Sequence, residues 1–485
     1  MNKGNDLKIK NFKDIHEQHH ISIDTLNGIV RRMARSMGIR ELDKVVFTSL
    51  QREAFNTDGF WLADKNPRHM ILQGATSAGK TLVSEMAMLD TLKNGNKTIV
   101  LVPLRAMVRE RWEHWKNDLE NQGDSDRVYA SSADYQEHDG EIINGDYDVA
   151  VVVYEKFFVM LAQSKGKMLA ECALLIVDEL QMLNNQNRGP KLEIAVQKVL
   201  RKNAQGGVNT RIMCLTTCDC KVDYVTKWLT VSNNLQNSMS GEPILIRNTK
   251  RPTALDEYVI QLDGHYRMQH TGGENVNTIS ESEFEEGVIE VPNFNKKAKS
   301  NEKKKALLKI LLQKIYAENP NVKVLVFVKS RRNTIELAQY IADENILPKN
   351  KLSNNLSGID YYDNDEDQQK LKGLLYSRIA CHNAAMTTSL REFVEEMFED
   401  EEDPIKLVVA TETLTVGMNM PVDIMILYDH EVPRGRNMQK KEELLTSQEY
   451  KNYIGRAGRL GRQNSKIGKK LFVCGRQSRI KKTLE

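Results

Sequence analysis

Short apolar runs rich in Val, Ile and Leu recur along the chain: "HMILQG" (69–74), "TIVLVP" (98–103), "DVAVVVY" (148–154), "ALLIVDE" (173–179) and "RIMCLTT" (211–217). Longer amphipathic segments separate them. Continuous rather than alternating hydrophobicity marks strands buried on both faces, which predicts a parallel sheet covered by helices. The pattern breaks after Asn248: as far as Lys305 the chain holds "RPTALDEYVIQLDG", glycines, acidic clusters and the basic run "KKAKSNEKKK" (296–305), a connecting region with room for a short strand pair. A second series follows in "KVLVFVKS" (323–330), "RIACHNA" (378–384), "KLVVATE" (406–412), "DIMILYD" (423–429) and "KLFVCG" (470–475). The expected fold class is therefore α/β, with one sheet domain over 46–250, a connector over 251–305 and a second sheet domain over 306–485. Residues 1–45 precede the first sheet, and "IDTLNGIVRRMARSMG" has helical spacing that should pack on the first domain.

Composition adds bounds. The 485 residues, 40% of them hydrophobic, suffice for a core in each domain. The amino terminus "MNKGNDLKIK" is polar, and no apolar run approaches the roughly 18 residues of a membrane span. The expectation is a cytoplasmic protein, nuclear if its host has a nucleus, with no membrane partner. Six cysteines at 172, 214, 218, 220, 381 and 474 read as reduced, mostly buried thiols. Cys218 and Cys220 form a lone CxC without the second pair that a four-ligand zinc site needs. His16-Glu17-Gln18-His19-His20 fits H-E-x-x-H, but it lies in a polar segment without a third ligand and reads as a solvated face. A formal charge of +3 says little about partners, and "DNDEDQQK" (363–370) and "FEDEED" (398–403) read as solvated loops.

The sharper chemistry follows the first strand. Gly74-Ala75-Thr76-Ser77-Ala78-Gly79-Lys80-Thr81 is G-x-x-x-x-G-K-[ST] between a strand and the helical "LVSEMAMLDTL". Such a loop turns backbone N–H groups onto phosphates, the helix amino terminus favours anions, Lys80 reaches the β- and γ-phosphates, and Thr81 offers a hydroxyl to magnesium. The stretch "LLIVDELQML" (174–183) ends a buried strand on two adjacent carboxylates. Beside a phosphate loop they take separate jobs: Asp178 holds Mg2+ through water, and Glu179 orients and deprotonates the attacking water. The implied cofactors are a nucleoside triphosphate and Mg2+.

These motifs, with "VPLRAM" (102–107), "SADY" (132–135), "YEKF" (154–157), "FVKSRR" (327–332), "VVATETLTVGMNMP" (408–421) and "EYKNYIGRAGRLG" (449–461), stand in an order and spacing that resemble superfamily 2 helicases. The nearest likeness is the Ski-like DExH branch, and within it the DNA-repair helicases. The resemblance implies two tandem RecA-like domains with ATP hydrolysed between them. It assigns adenine reading to Gln51, further nucleotide contacts to Gly417 and Asn419, and arginine fingers toward the γ-phosphate to Arg456 and Arg459. It assigns nucleic-acid contacts to Arg105, to Lys156 of "YEKF", and to Ser330, Arg331, Thr411 and Thr413. It also places a strand-separating β-hairpin at "DHEVPRGRNMQKKEELLT" (429–446).

Three departures from the family pattern stand out. Gln181 replaces a histidine, Thr216-Thr217-Cys218 replaces Ser-Ala-Thr, and Asn452 replaces a glutamine. In the family the first two motifs touch and relay nucleotide state to the strand. Gln181 keeps a donor and an acceptor, and Thr216 and Thr217 offer hydroxyls, so a hydrogen-bonded relay remains available. Only twenty-four residues follow Gly461, too few for the winged-helix and ratchet domains of the branch. The expectation is a fragment, a partner protein that completes the strand channel, or a protein that does not unwind processively. The leading function is an ATP-dependent helicase or translocase on DNA with 3′–5′ polarity. The alternatives are an RNA helicase of the same branch, and an ATP-switched nucleic-acid sensor or clamp.

Overall fold

The computed structural model describes residues 9–475 apart from 38–45, 63–67, 76–77, 121–126, 186–187, 207–208, 218–219, 234–240, 249–253, 272–283, 293–298, 350–364, 400–404, 412–421, 430, 435–440 and 445–468. The chain divides into two compact units, Met1–Pro252 and Thr253–Glu485.

The first unit holds seven strands: β1 (Met70–Gly74), β2 (Lys97–Val102), β3 (Val128–Ser131), β4 (Val149–Val153), β5 (Cys172–Val177), β6 (Arg211–Thr216) and β7 (Ile244–Asn248). They form one parallel sheet in the order β3-β4-β2-β5-β6-β1-β7. Each central strand sends alternate side chains into two separate cores. Leu174 and Ile176 join one, while Leu175 and Val177 join the other. Burial on both faces is why these strands read as unbroken apolar runs. β3 and β7 lie at the two sheet edges, and β7 alternates buried and exposed positions, so its sequence signal is weaker.

The helix Lys80–Lys93 is buried from Leu82 through Thr91, including Glu85 and Asp90. A helix covered all round needs an outer layer. The helices Phe12–His19 and Ile23–Met37 supply part of it, with Phe12, Ile15, Leu26 and Ile29 in the same core as Val83 and Met86. Phe12 packs edge-on against Phe47 at 5.0 Å. The His16–His20 segment is less solvated than its polarity suggests: His16 Nδ1 meets the Ile21 carbonyl at 2.7 Å and His19 stacks on Trp61 at 3.7 Å. Among the described residues no His, Cys, Asp and Glu cluster has metal-site geometry. Cys172, Cys214, Cys220 and Cys381 are buried thiols outside any disulfide, and burial pushes the Cys172 thiol up to about 12.

In the second unit β8 (Leu255–Gln261), β9 (His265–Thr271) and β10 (Phe284–Val288) precede β11 (Val324–Phe327), β12 (Ile379–His382), β13 (Leu407–Ala410) and β14 (Ile424–Leu427). A separate antiparallel pair, β15 (Glu431–Arg434) and β16 (Lys441–Leu444), is followed by β17 (Lys469–Gly475). The sheet order is β10-β9-β8-β17-β14-β11-β13-β12. The segment read from sequence as a connector thus adds three strands to this sheet, with β8 parallel to β17 from Leu255↔Lys469 to Gln261↔Gly475. β8 and most of β9 are half-buried and β10 is largely exposed, which hides them from a search for continuous apolar runs. The turn signal was present: Asp263-Gly264, with Gly264 at φ +90°, closes β8 onto β9. Among the described residues no helix is long and apolar enough to cross a membrane.

Candidate nucleotide site and its polar relay

In the first sheet β6 lies between β1 and β5, and all three run parallel. Their carboxyl ends therefore bring together the phosphate loop after β1, Thr216 at the end of β6, and Asp178-Glu179 after β5. Ligands of open parallel sheets bind at this edge.

The loop folds tightly on its neighbours. Gly79 has φ +81° as the residue before the helix, and a Cβ there would lie 2.0 Å from Gln51 Nε2. Only glycine fits both demands. Lys80 Nζ donates to the carbonyls of Gly74 and Ala75 at 2.8 and 3.0 Å. Thr48 Oγ1 donates to the Ala78 carbonyl at 2.7 Å. Gln51 is buried against the loop: its Nε2 donates to the Gly79 carbonyl at 3.2 Å and its Oε1 accepts Thr48 N–H at 2.9 Å. Thr76 and Ser77 lie outside the described residues.

The two carboxylates are held differently. Asp178 Oδ1 accepts the Glu179 N–H at 3.0 Å, and its Oδ2 meets Arg111 Nη2 at 3.3 Å. Glu179 adopts φ 57°, ψ 48°, a left-handed conformation that costs a non-glycine residue about 1–2 kcal/mol. Tertiary bonds hold it there. Tyr154, the first residue of "YEKF", donates its buried hydroxyl to the Asp178 carbonyl. Burial, reinforced by the charges of Asp178 and Glu179, keeps that phenol well above its usual range, so it remains a donor.

Gln181 occupies the centre. It is 2% exposed; its Nε2 donates to Glu179 Oε2 and its Oε1 accepts Thr216 Oγ1–H at 3.1 Å. The substituted pair is thus one hydrogen-bonded chain, Glu179 to Gln181 to Thr216. Thr217 does not join it: its Oγ1 is buried without a hydrogen-bond partner among the described residues, while its carbonyl lies 3.4 Å from Gln73 Nε2.

Arg111 and Arg188 were not singled out in the sequence. Arg111 Nη2 lies 3.0 Å from Thr81 Oγ1 as well as 3.3 Å from Asp178 Oδ2. Burial acts to lower its pKa, but Asp178, Glu110 and Glu85 outweigh it and hold it above the ordinary value. A sequence signal existed, because Val108, Arg111, Trp115 and Leu119 have helical core spacing with a charge on the buried stripe. Arg188 links two other motifs: Nη1 donates to the Pro103 carbonyl at 2.6 Å, and Nε meets Glu155 at 3.1 Å.

Three of the residues assigned to nucleic acid, Arg105, Lys156 and Ser330, have partners within the chain. Arg105 is exposed and pairs with Asp134 at 3.2 Å. Lys156 is half-buried, paired with Asp139 and within 3.4 Å of the Tyr135 carbonyl. In the second unit Ser330 caps the helix Arg331–Asp343, accepting Asn333 N–H at 3.2 Å. Arg331 is exposed at its first turn. Thr411 is buried just after β13. Thr413, Gly417, Asn419, Asn452, Arg456, Arg459 and Cys218 lie outside the described residues.

The donor set suits Mg2+, a hard cation that takes oxygen ligands. Thr81 Oγ1 and Asp178 Oδ2 converge on a single guanidinium nitrogen, so the two oxygens already address one cationic point.

Comparison with known proteins agrees with this geometry. Residues 48–218 match the DEAD/DEAH box helicase family, and residues 302–463 match the helicase conserved C-terminal domain. The chain is similar to the ATP-dependent DNA helicase Hel308 of Methanocella arvoryzae, 24% identical over 397 residues that make up 79% of this chain and 46% of that protein. The Hel308 of Thermoplasma volcanium is 26% identical over 406 residues, 83% of this chain and 50% of that protein. That of Pyrococcus abyssi is 26% identical over 387 residues, 79% and 45% respectively. The chain spans about half the length of the curated relatives it matches. With both helicase domain families matched in tandem on two units built around parallel sheets, the chain belongs to the superfamily 2 helicases.

Proposed function

We propose that this chain is the motor of an ATP-dependent helicase or translocase that acts on DNA and moves 3′ to 5′. The observation that carries the reading is the Glu179–Gln181–Thr216 chain, which ties the group that serves the nucleophile to the end of a neighbouring strand. The similarity to DNA helicases supports DNA as the substrate.

In the proposed reaction the loop from Gly74 to Thr81 cradles the triphosphate of ATP, and Lys80 leaves its two carbonyls for the β- and γ-phosphates. Thr81 and Asp178 would hold Mg2+, which neutralises charge on the phosphate oxygens. Glu179 orients the attacking water and accepts its proton at a carboxylate oxygen. Gln181 steadies that carboxylate, so movement of Thr216 alters the alignment of Glu179. Arg456 and Arg459 are proposed to stabilise the γ-phosphate. Gln51 packs the loop from behind, and a role at the adenine requires its amide to exchange partners. The β15–β16 hairpin is proposed as the wedge that parts the duplex, in a cytoplasmic or nuclear setting where a partner protein completes the strand channel.

ATP turnover measured with single-stranded DNA, single-stranded RNA and no nucleic acid tests this reading. DNA should stimulate the most. Glu179→Gln should bind ATP yet turn over at least about 100-fold more slowly, as expected for losing a general base. Turnover indifferent to any nucleic acid would defeat the motor reading, and preferential stimulation by RNA would reassign the substrate.

A further inference from the structure

Arg111 sits on the helix Arg105–Glu120, an element distinct from both the phosphate loop and β5, yet one of its nitrogens is bonded to both proposed magnesium ligands. A charge pair with Asp178 alone would be an ordinary buried salt bridge. The second bond, from the same Nη2 to Thr81 Oγ1 at 3.0 Å, is what sets this guanidinium apart. Its side chain is 13% exposed and that of Asp178 is 10% exposed, so water screens the contact little. Glu85 and Glu110 add negative charge around Arg111, and Glu85 is itself buried and fixed by Trp115 Nε1 at 2.9 Å.

Magnesium would take the Thr81 lone pair directly, at about 2.0–2.1 Å in near-octahedral geometry, and would engage Asp178 Oδ2 through a bound water. A guanidinium nitrogen in hydrogen-bond contact with both oxygens and a divalent ion between them cannot share that point, because their charges repel and their ligands coincide. We propose that Arg111 is a resident cation of this site: it holds Thr81 and Asp178 in register until Mg2+ displaces it, and so sets the metal concentration at which the nucleotide site loads. Arg111 is a positioning residue in this scheme, since it acts through the two ligands. The proposal rests on the reading of this loop as an ATP site.

The test is the binding of Mn2+, followed from the free-ion electron paramagnetic resonance signal, to the full chain with and without a non-hydrolysable ATP analogue. Melting temperature against Mg2+ concentration gives a second readout. Arg111→Gln removes the charge and should lower the half-saturating Mn2+ concentration on the order of tenfold, the effect of one nearby charge of like sign. Millimolar guanidinium should raise that concentration again in the variant and leave the wild type unmoved. Arg111→Lys keeps the charge but not the fork, and should give a shift of about threefold in the same direction. If Arg111→Gln does not fold, the Lys variant decides. A half-saturation unchanged or raised in the folded variants overturns the proposal and makes Arg111 a permanent part of the scaffold. A wild-type chain that binds no metal with the nucleotide analogue overturns the ATP-site reading instead.

Discussion

Two polar regions of the first unit handle their charges in opposite ways. Around Glu179, Gln181, Thr216 and Arg111 every contact is buried or nearly so, and one side chain satisfies two partners at once. Around Arg105 the pair with Asp134 is open to water, with side chains 61% and 59% exposed. Buried polar groups must be paired, so the first network has one geometry and a large penalty for breaking it. Exposed pairs contribute about 0–1 kcal/mol and exchange partners easily, which suits a surface proposed to trade a carboxylate for a phosphate. The region proposed to transmit a signal is stiff, and the region proposed to grip and release a strand is cheap to rearrange.

The sharpest way to break this contrast is Gln181→Leu, which leaves Thr216 Oγ1 and the Glu179 carboxylate without this partner. We expect a stability loss of about 1–3 kcal/mol in denaturant unfolding. DNA-stimulated ATP turnover should fall on the order of tenfold while the unstimulated rate falls less, and Gln181→His should recover part of it. Equal loss of both rates would make Gln181 a structural residue and not a relay.

His19 offers an intermediate case. Half-burial against Trp61, then the charge of Lys93 and the neighbouring His20, lower its pKa to about 4. The folded chain therefore binds fewer protons here than the unfolded chain between pH 4 and 6.5, and stability rises with pH across that window. Allowing for the ring's half-exposure, the contribution lost on acidification is on the order of 1–2 kcal/mol. Unfolding measured at both ends of the window, in the wild type and in His19→Phe, should show a steeper pH dependence in the wild type. Parallel curves would remove His19 from this role.

Asp134→Asn should have the smallest effect. Stability should change by less than about 0.5 kcal/mol. Freed from its carboxylate, Arg105 should tighten single-stranded DNA binding about twofold to threefold, with a steeper salt dependence, in anisotropy titrations at about 50 and 200 mM salt. Unchanged affinity would separate Arg105 from the strand.

Much of this was legible in the chain. The central strands of both sheets declare themselves by uninterrupted apolar runs, and the phosphate loop and the Asp178-Glu179 pair by residue type and context. The short edge strand β3 and the half-exposed β7 escaped, and β8 to β10 were foreseen only as room for a strand pair, because short length or partial exposure dilutes the signal that a two-faced strand carries. The pairing of Gln181 with Thr216 was foreseen as a possibility, whereas the positions of Thr217, Tyr154, Arg111 and Arg188 were not. Those depend on which strands lie side by side.

That division has a physical cause. Local sequence determined the element types, the chemistry at each strand end and the tight turn at Gly79, since propensity, burial pattern and backbone freedom act over a few residues. Tertiary structure alone decided that β6 runs between β1 and β5, which sets Thr216 against Gln181, 35 positions away in sequence. It also decided that Arg111 reaches across 67 positions to Asp178. Strand order and helix docking are set by how the whole core fills, and no single segment carries that information.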